Sequence, residues 1–480
     1  MPVPLYLKQL FLIAVITCLA LASHAQDSTV YYKASILVSG ATDQTPFWAH
    51  ANQNGSIPLD GNFGLVNAGI YKVYNPHNPR TFQWSGAIQG IGSYGKSANA
   101  FLSDAYLAAK IGKIEIMAGQ KSNVMGIMDT TLTSGSLSVA GNARPFPRVQ
   151  ISAPNYLPLY FTKNFVALKF SYSEGFLGSS RLNYGVEREV SYTYFHQKSL
   201  YFRFGQDNGR LKIHFGANHQ AVWGGEEKIT PLFELEPLKA YWYTISGKTL
   251  NYNKVGNHFG TVDLAGEWQG KKWSYLLYRQ NIYETGSLFK LINFQDGLNG
   301  LRLRRIKASF VKTSSFALQS ALIEVVGTNS QVNRSPLSGL SIYEKGNYYN
   351  SYIYQRGWSY FDRGIGTPLA PGKTITDKKL PFNATEFTNN NRFWAFHGGI
   401  TATWLKAYFG LRATYSRNSG SLLSPFDTMK EQISLSLTAE KNVKLLNGCS
   451  VFTNLTSDFG QLYPKSYGLI AGIRKSGFLD

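Results

Sequence analysis

A two-residue alternation of apolar and polar side chains recurs along this chain, and it restricts the fold to sheet. Phe82, Trp84, Gly86, Ile88 and Gly90 alternate with Gln83, Ser85, Ala87, Gln89 and Ile91. Val166, Leu168, Phe170 and Tyr172 interleave with Ala167, Lys169 and Ser171, and 261–268, 407–416 and 433–439 read the same way. Successive strand side chains point to opposite faces, so each stretch has one apolar and one polar face.

A water-soluble sandwich would also alternate, but two features favour a barrel in a membrane. The alternating stretches often reach about 9–11 residues, the length that crosses a bilayer on a tilt. Aromatics recur near their ends, as Phe82 with Tyr94, Trp268 with Trp273, and Trp404 with Tyr408. That placement suits girdles at two lipid–water boundaries. Only 16% of the 480 residues are charged, against about 25% in a typical globular protein. After residue 25 no apolar run is long enough for a spanning helix. The expected fold is all-β: a transmembrane antiparallel β-barrel of about 18 strands, closed by 467–473. The least strand-like regions are 97–110, 121–148, 226–257 and 327–391. The first two suit short helices or a plug, the last two long loops.

Residues 1–25 read as a secretory signal. Lys8 supplies the positive start, 10–22 the apolar stretch, and Ser23-His24-Ala25 a small-x-small cleavage site. Cleavage near Ala25 leaves 26–480 as a single barrel domain, sent to the outer membrane. Cys18 lies inside the apolar stretch, and Ile16-Thr17 before it is a poor lipid-attachment motif. Only Cys449 then remains, and a lone cysteine forms no internal disulfide. The formal charge is +20; without Lys8 it is +19, from 47 basic and 28 acidic residues. Such an excess implies an anionic partner. Nucleic acid is not expected, because the basic residues are scattered singly, as in Lys169, Arg203 and Arg412. The densest cluster is 302–307. An anionic glycan or lipid head group suits an exported chain better.

Catalytic signals are weak. His214 and His219 are five apart, which on one strand places them on opposite faces. With His196 and His258 they form no HExxH and no tight pair beside an acid. Their plainer role is as lumen or rim histidines bonded to neighbours. No GxSxG elbow is present. Glu226 and Glu227 are sequence neighbours in a loop, better read as a solvated turn than as a glycosidase pair. No metal or cofactor is expected. The stretch 346–366 (GNYYNSYIYQRGWSYFDRGIG) says more. Its aromatic faces can stack on sugar C–H surfaces, and its Asn, Gln, Arg and Asp side chains can bond hydroxyls. A girdle or a packed loop would use the same residues.

Several stretches occur in order: GSLSVAGNARPFPRV (135–149), YFHQKSLYFRF (194–204), FGANHQAVWGG (215–225), GNHFGTVDL (256–264) and QDGLNGLRL (295–303). Through them the chain resembles the Wzi-type capsule-assembly family of outer-membrane proteins. YYNSYIYQRGWSYFDRGIGTPL (348–369) resembles the branch found in Bacteroidetes. The resemblance implies an eighteen-stranded barrel with a small helical element near the periplasmic side. It also implies a lectin-like, non-enzymatic role in holding capsular or extracellular polysaccharide at the cell surface. The matching positions, as candidate glycan-binding or lumen residues, are Asn142, Arg144, His196, Asn218, His219, Gln220, Trp223, Asn257, His258, Asp263, Asp296, Trp358 and Arg363, with glycines 224 and 297. Rival readings are a porin or an outer-membrane lipid or glycan hydrolase. Expected partners are the polysaccharide, acidic by the charge balance, and outer-membrane lipids, around a monomeric barrel.

Overall fold

The computed structural model describes residues 29–479 except 79, 186, 230–234, 251–252, 285–292, 307–314, 332–345 and 444–447. The expected leader lies outside the described residues, as do parts of the loops expected at 226–257 and 327–391.

Eighteen strands form one sheet. They are β1 Val30–Ala41, β2 Phe63–Lys72, β3 Phe82–Tyr94, β4 Ala98–Ile111, β5 Ile114–Gln120 and β6 Arg148–Pro158. Next come β7 Val166–Arg181, β8 Glu189–Phe204, β9 Leu211–Trp223, β10 Asn257–Gln269, β11 Trp273–Tyr283 and β12 Gly297–Arg305. The last six are β13 Ala317–Gly327, β14 Phe393–Trp404, β15 Ala407–Gly420, β16 Pro425–Val443, β17 Cys449–Gly460 and β18 Ser466–Phe478. Each pairs antiparallel with its chain neighbours, and β18 pairs with β1 from Tyr31↔Phe478 to Ala41↔Gly468. Closure leaves no unpaired edge, as a sheet in hydrocarbon requires.

The alternation resolves as expected. Ile88, Leu264, Leu411 and Leu437 are exposed on the outer face, while Ser416, Gln432, Ser434 and Ser436 are buried on the inner one. The expected closing strand is longer than 467–473 and takes in Phe478. The reading of 97–110 is corrected: it is the wall strand β4. Its alanines populate both faces, and the β3–β4 register shifts between Ile88 and Gly90, which blurs the two-residue pattern.

Both chain ends of the barrel lie at one rim. That rim carries the connections 73–81, 112–113, 159–165, 205–210, 270–272, 306–316, 405–406 and 444–448. The opposite rim carries 42–62, 121–147, 224–256, 284–296 and 328–392. Short turns mark the periplasmic end of such barrels and long loops the external end. Three of the long connections fold back into the lumen, through 42–62, 121–147 and 346–391. Phe47 and Trp48 from the first pack with Met128, Leu132 and Leu137 from the second and Tyr349, Trp358 and Ile365 from the third. Inward wall residues Phe195, Phe259, Tyr278 and Leu298 complete the cluster.

Segment 121–147 is the plug. It reaches down to the periplasmic half, where Arg304 donates to Asp129 Oδ2 at 2.7 Å. Glu324 on the wall accepts from Thr133 Oγ1 and Ser134 N, both at 2.7 Å, and from the Tyr278 hydroxyl. The ring Nε2 of His397 lies 2.7 Å from Leu132 O. At Gly126 (φ +120°) a Cβ would sit 1.9 Å from Gln280 Nε2, so only glycine lets the plug approach the wall there. The short helices Phe47–His50, Glu226–Ile229 and Pro237–Ser246 belong instead to the external connections.

Candidate functional site at the external mouth

The third inward segment turns back at the mouth as a two-residue hairpin. Ser359–Tyr360 pairs with Arg363–Gly364, and Phe361 and Asp362 form its tip with φ of 48° and 55°. Two positive φ values in a two-residue tip are the signature of a type I′ turn. Aspartate tolerates this region; phenylalanine rarely adopts it, at a cost of about 1–3 kcal/mol. The surroundings impose it. Trp358 N donates to Tyr349 O and Ile365 N to Trp358 O. Beneath the tip the Arg363 guanidinium donates to His50 Nδ1 at 2.9 Å and Ile57 O at 3.0 Å. The imidazole must accept that bond, and burial first, then the Arg363 charge, hold His50 well below its ordinary pKa.

The result is an aromatic ring displayed outward. Phe361 is 61% exposed. Tyr360 meets it edge-on with centroids 4.7 Å apart. The Arg144 guanidinium carbon lies 4.8 Å from the Phe361 ring and 3.6 Å from that of Phe101. Beside the tip opens a cleft of ≈ 630 Å³, bounded by the upper end of β7, Glu189 of β8, and residues of 355–387. Arg181, Arg356 and Lys373 line it, as do Glu189, Asp362 and Glu386. Charge is thus balanced within the cleft. Two of the cations are already engaged: Arg356 Nη1 donates to Leu177 O, Ser179 O and Thr193 Oγ1, and Lys373 Nζ to three loop carbonyls.

Comparison with known proteins adds one informative match. The fold matches Wzi of Escherichia coli, an outer-membrane protein involved in group 1 capsule assembly and a carbohydrate-binding β-barrel. The TM-score is 0.58 at 14% identity, over 98% of this chain and 88% of Wzi. This chain has a Wzi-like fold. Pseudomonas aeruginosa OccK5 (TM-score 0.47, 8% identity, covering 93% of this chain and 97% of its own) and OccK10 (0.46, 10%, covering 95% and 100%) also align. No family model and no curated protein matches the chain.

The thirteen positions singled out in the sequence divide into three groups. Most wire the lumen together. Asn142 Nδ2 donates to Gly364 O at 3.2 Å, and Asn257 Nδ2 to Asn350 O at 3.4 Å. Asn218 donates to Thr261 Oγ1 at 2.6 Å, and Gln220 to Asn218 Oδ1 at 3.4 Å. Asp263 accepts from Thr261 Oγ1 and from the plug at Ile127 N, 2.9 Å away. Trp358 packs edge-on to Phe195 and at a tilt against Phe259. With Arg363 it supports the tip from below.

A second group corrects the expectation of lumen or rim histidines. His196, His219, His258 and Trp223 lie on the outer face. His219 shares its strand parity with the exposed Ile213 and Phe215, whereas His214 shares that of the buried Asn218 and Gln220. The five-residue spacing does put the two histidines on opposite faces. His258 likewise follows Leu264 and Trp268 outward.

Only Arg144 of the thirteen borders the displayed ring. Tyr360, Phe361 and Asp362 were not singled out, although they stand within the aromatic stretch 346–366. Among the described residues no group of three or more His, Cys, Asp or Glu is arranged to hold a metal.

Asp296 anchors the root of the long loop, accepting from Ser330 N at 2.8 Å and the Tyr348 hydroxyl at 2.9 Å. Burial raises it to about 6, and burial likewise raises nearby Glu284 to about 8. Folded chains therefore keep protons that unfolded chains lose from about pH 4 upward. Stability from these groups is full below that point and falls as pH rises through 6 to 8. The thermal midpoint in detergent should drop by several degrees between pH 4 and 8.5. Asp296→Asn with Glu284→Gln should flatten the slope, and an unchanged slope would refute the assignment.

Proposed function

We propose that this barrel binds and anchors capsular or extracellular polysaccharide at the cell surface, without catalysis. The observation that carries the reading is the outward-facing Phe361–Tyr360 tip, held in a strained turn beside an open cleft above a plugged lumen. A sugar ring seats its C–H face on Phe361, while Asp362, Arg181 and Glu189 offer hydrogen bonds to hydroxyls. Each contact is weak, and a long polymer engages many barrels at once, so modest affinities multiply. The Wzi-like fold supports the same reading. The plug disfavours the porin alternative, because the segments that fill the lumen are bonded to the wall.

The mature barrel should be retained on the host's own surface polysaccharide above an albumin control. Absence of retention at both low and moderate salt overturns the proposal. An acidic polymer, as the basic excess of the chain suggests, should lose retention as salt rises. Salt-insensitive retention instead assigns the binding to stacking on a neutral glycan.

A further inference from the structure

Just below the external rim, the outer face of β7–β10 is polar. Glu174, His196, Lys198, His219 and His258 stand at outward positions, flanked along their strands by the exposed Leu200, Phe215 and Leu264. Two residues above His196, Tyr194 aligns across the ladder with Phe176 and Trp223. These rings mark the girdle, so His196, two residues along a tilted strand, lies about 5 Å below it. Bare carboxylate, ammonium and imidazole groups at that depth would face hydrocarbon at high cost.

They are not bare. Helix Pro237–Ser246 lies across them, started by proline and ended at Gly247 in the left-handed region. The Lys198 ammonium donates to Ile245 O, and the Tyr241 hydroxyl donates to Glu174 Oε1 at 2.9 Å. Tyr241 also packs on Trp223 with centroids 5.6 Å apart. Beneath the helix, His196 Nδ1 is 2.6 Å from Glu174 Oε1, and His219 Nε2 is 2.8 Å from His258 Nδ1. Ala240 and Thr244 are buried, Ala240 against Val255 of the same connection.

Among the described residues, nothing covers the opposite face of this helix. Leu238 is 83% exposed and Trp242 54%. They are four apart, hence neighbours on one face. Lys239 and Lys248 are exposed beside them. We infer that helix Pro237–Ser246 is a strap seated in the outer leaflet, with Leu238 and Trp242 among acyl chains and Lys239 and Lys248 at anionic head groups. Two observations name lipid as the occupant. The exposed apolar pair continues the lipid-facing band of β7–β10, and apolar residues flanked by lysines match interfacial helices. The strap replaces lipid over a polar patch of wall and turns an apolar surface outward in its stead.

A fluorophore on Leu238→Cys, in a Cys449→Ser background and in vesicles of anionic lipid, tests this. Nitroxide placed near the head groups should quench it at least about twofold more than the same label at Phe382, an exposed loop residue. Nitroxide near the bilayer centre should quench it less than a label at Leu264 on the wall. Quenching no greater than at Phe382 overturns the proposal, because the helix then lies in water. Protection from both lipid nitroxide and aqueous iodide also overturns it, since a second protein chain would then cover the face.

Discussion

Phe361→Gly is expected to abolish most retention on the polysaccharide while leaving the barrel as stable as before or slightly more so. The two effects have opposite signs, which is what makes the variant informative. Removing the ring removes the stacking surface. A loss of about 1.4 kcal/mol per contact is tenfold in affinity, and multivalent attachment compounds it along a polymer. Glycine meanwhile adopts the left-handed conformation at no steric cost. Position 361 has φ 48°, so strain of about 1 kcal/mol is relieved there. Phe361→Ala should lose retention to the same extent without that relief. Retention measured on immobilised polysaccharide, beside thermal unfolding in detergent, reads both quantities. A Phe361→Gly barrel that still binds like the parent would remove the tip from the site. One that binds poorly because it has unfolded would show in the melting curve.

Glu324→Ala is expected to turn a silent barrel into a leaky one. The carboxylate accepts from the Tyr278 hydroxyl, Thr133 Oγ1 and Ser134 N, all in the buried lumen. Each donor left unpaired there costs about 1–3 kcal/mol. The wall does not depend on these bonds, since its ladders are complete without them. The loss should therefore fall on the plug, as frequent openings in planar-bilayer recordings against none in the parent. Glu324→Gln keeps the shape and part of the acceptor capacity and should lie between. A silent Glu324→Ala barrel would mean that the bonds at Asp129, Asp263 and His397 hold the plug unaided.

The wall was legible because its signal is local. Strand parity needs only neighbouring residues, and runs such as 82–91 and 407–416 display it without interference. It failed at 97–110, where alanine on both faces carries no contrast and a bulge moves the register. The site was legible only in part. The stretch 346–366 stood out as aromatic and polar, but which rings would be buried depended on a turn type and on partners such as His50, more than 300 residues away (separation 313). Trp358 and Arg363, read as candidates for the glycan or the lumen, lie buried beneath the tip, whereas Phe361 between them is displayed. The outer-face histidines show the same limit. Their facing follows from parity, but what covers them is a helix from a different connection, and no periodicity in β8 or β9 announces it.

The lumen contents come from three widely separated parts of the chain, as the bond from Tyr349 to Leu137 across 212 positions illustrates. Closing such a loop has no enthalpic return until both parties are in place. The stopper is therefore not a module of its own: its seating contacts exist only where the completed hoop holds distant parts of the chain side by side, so a change that loosens the hoop also loosens what fills it.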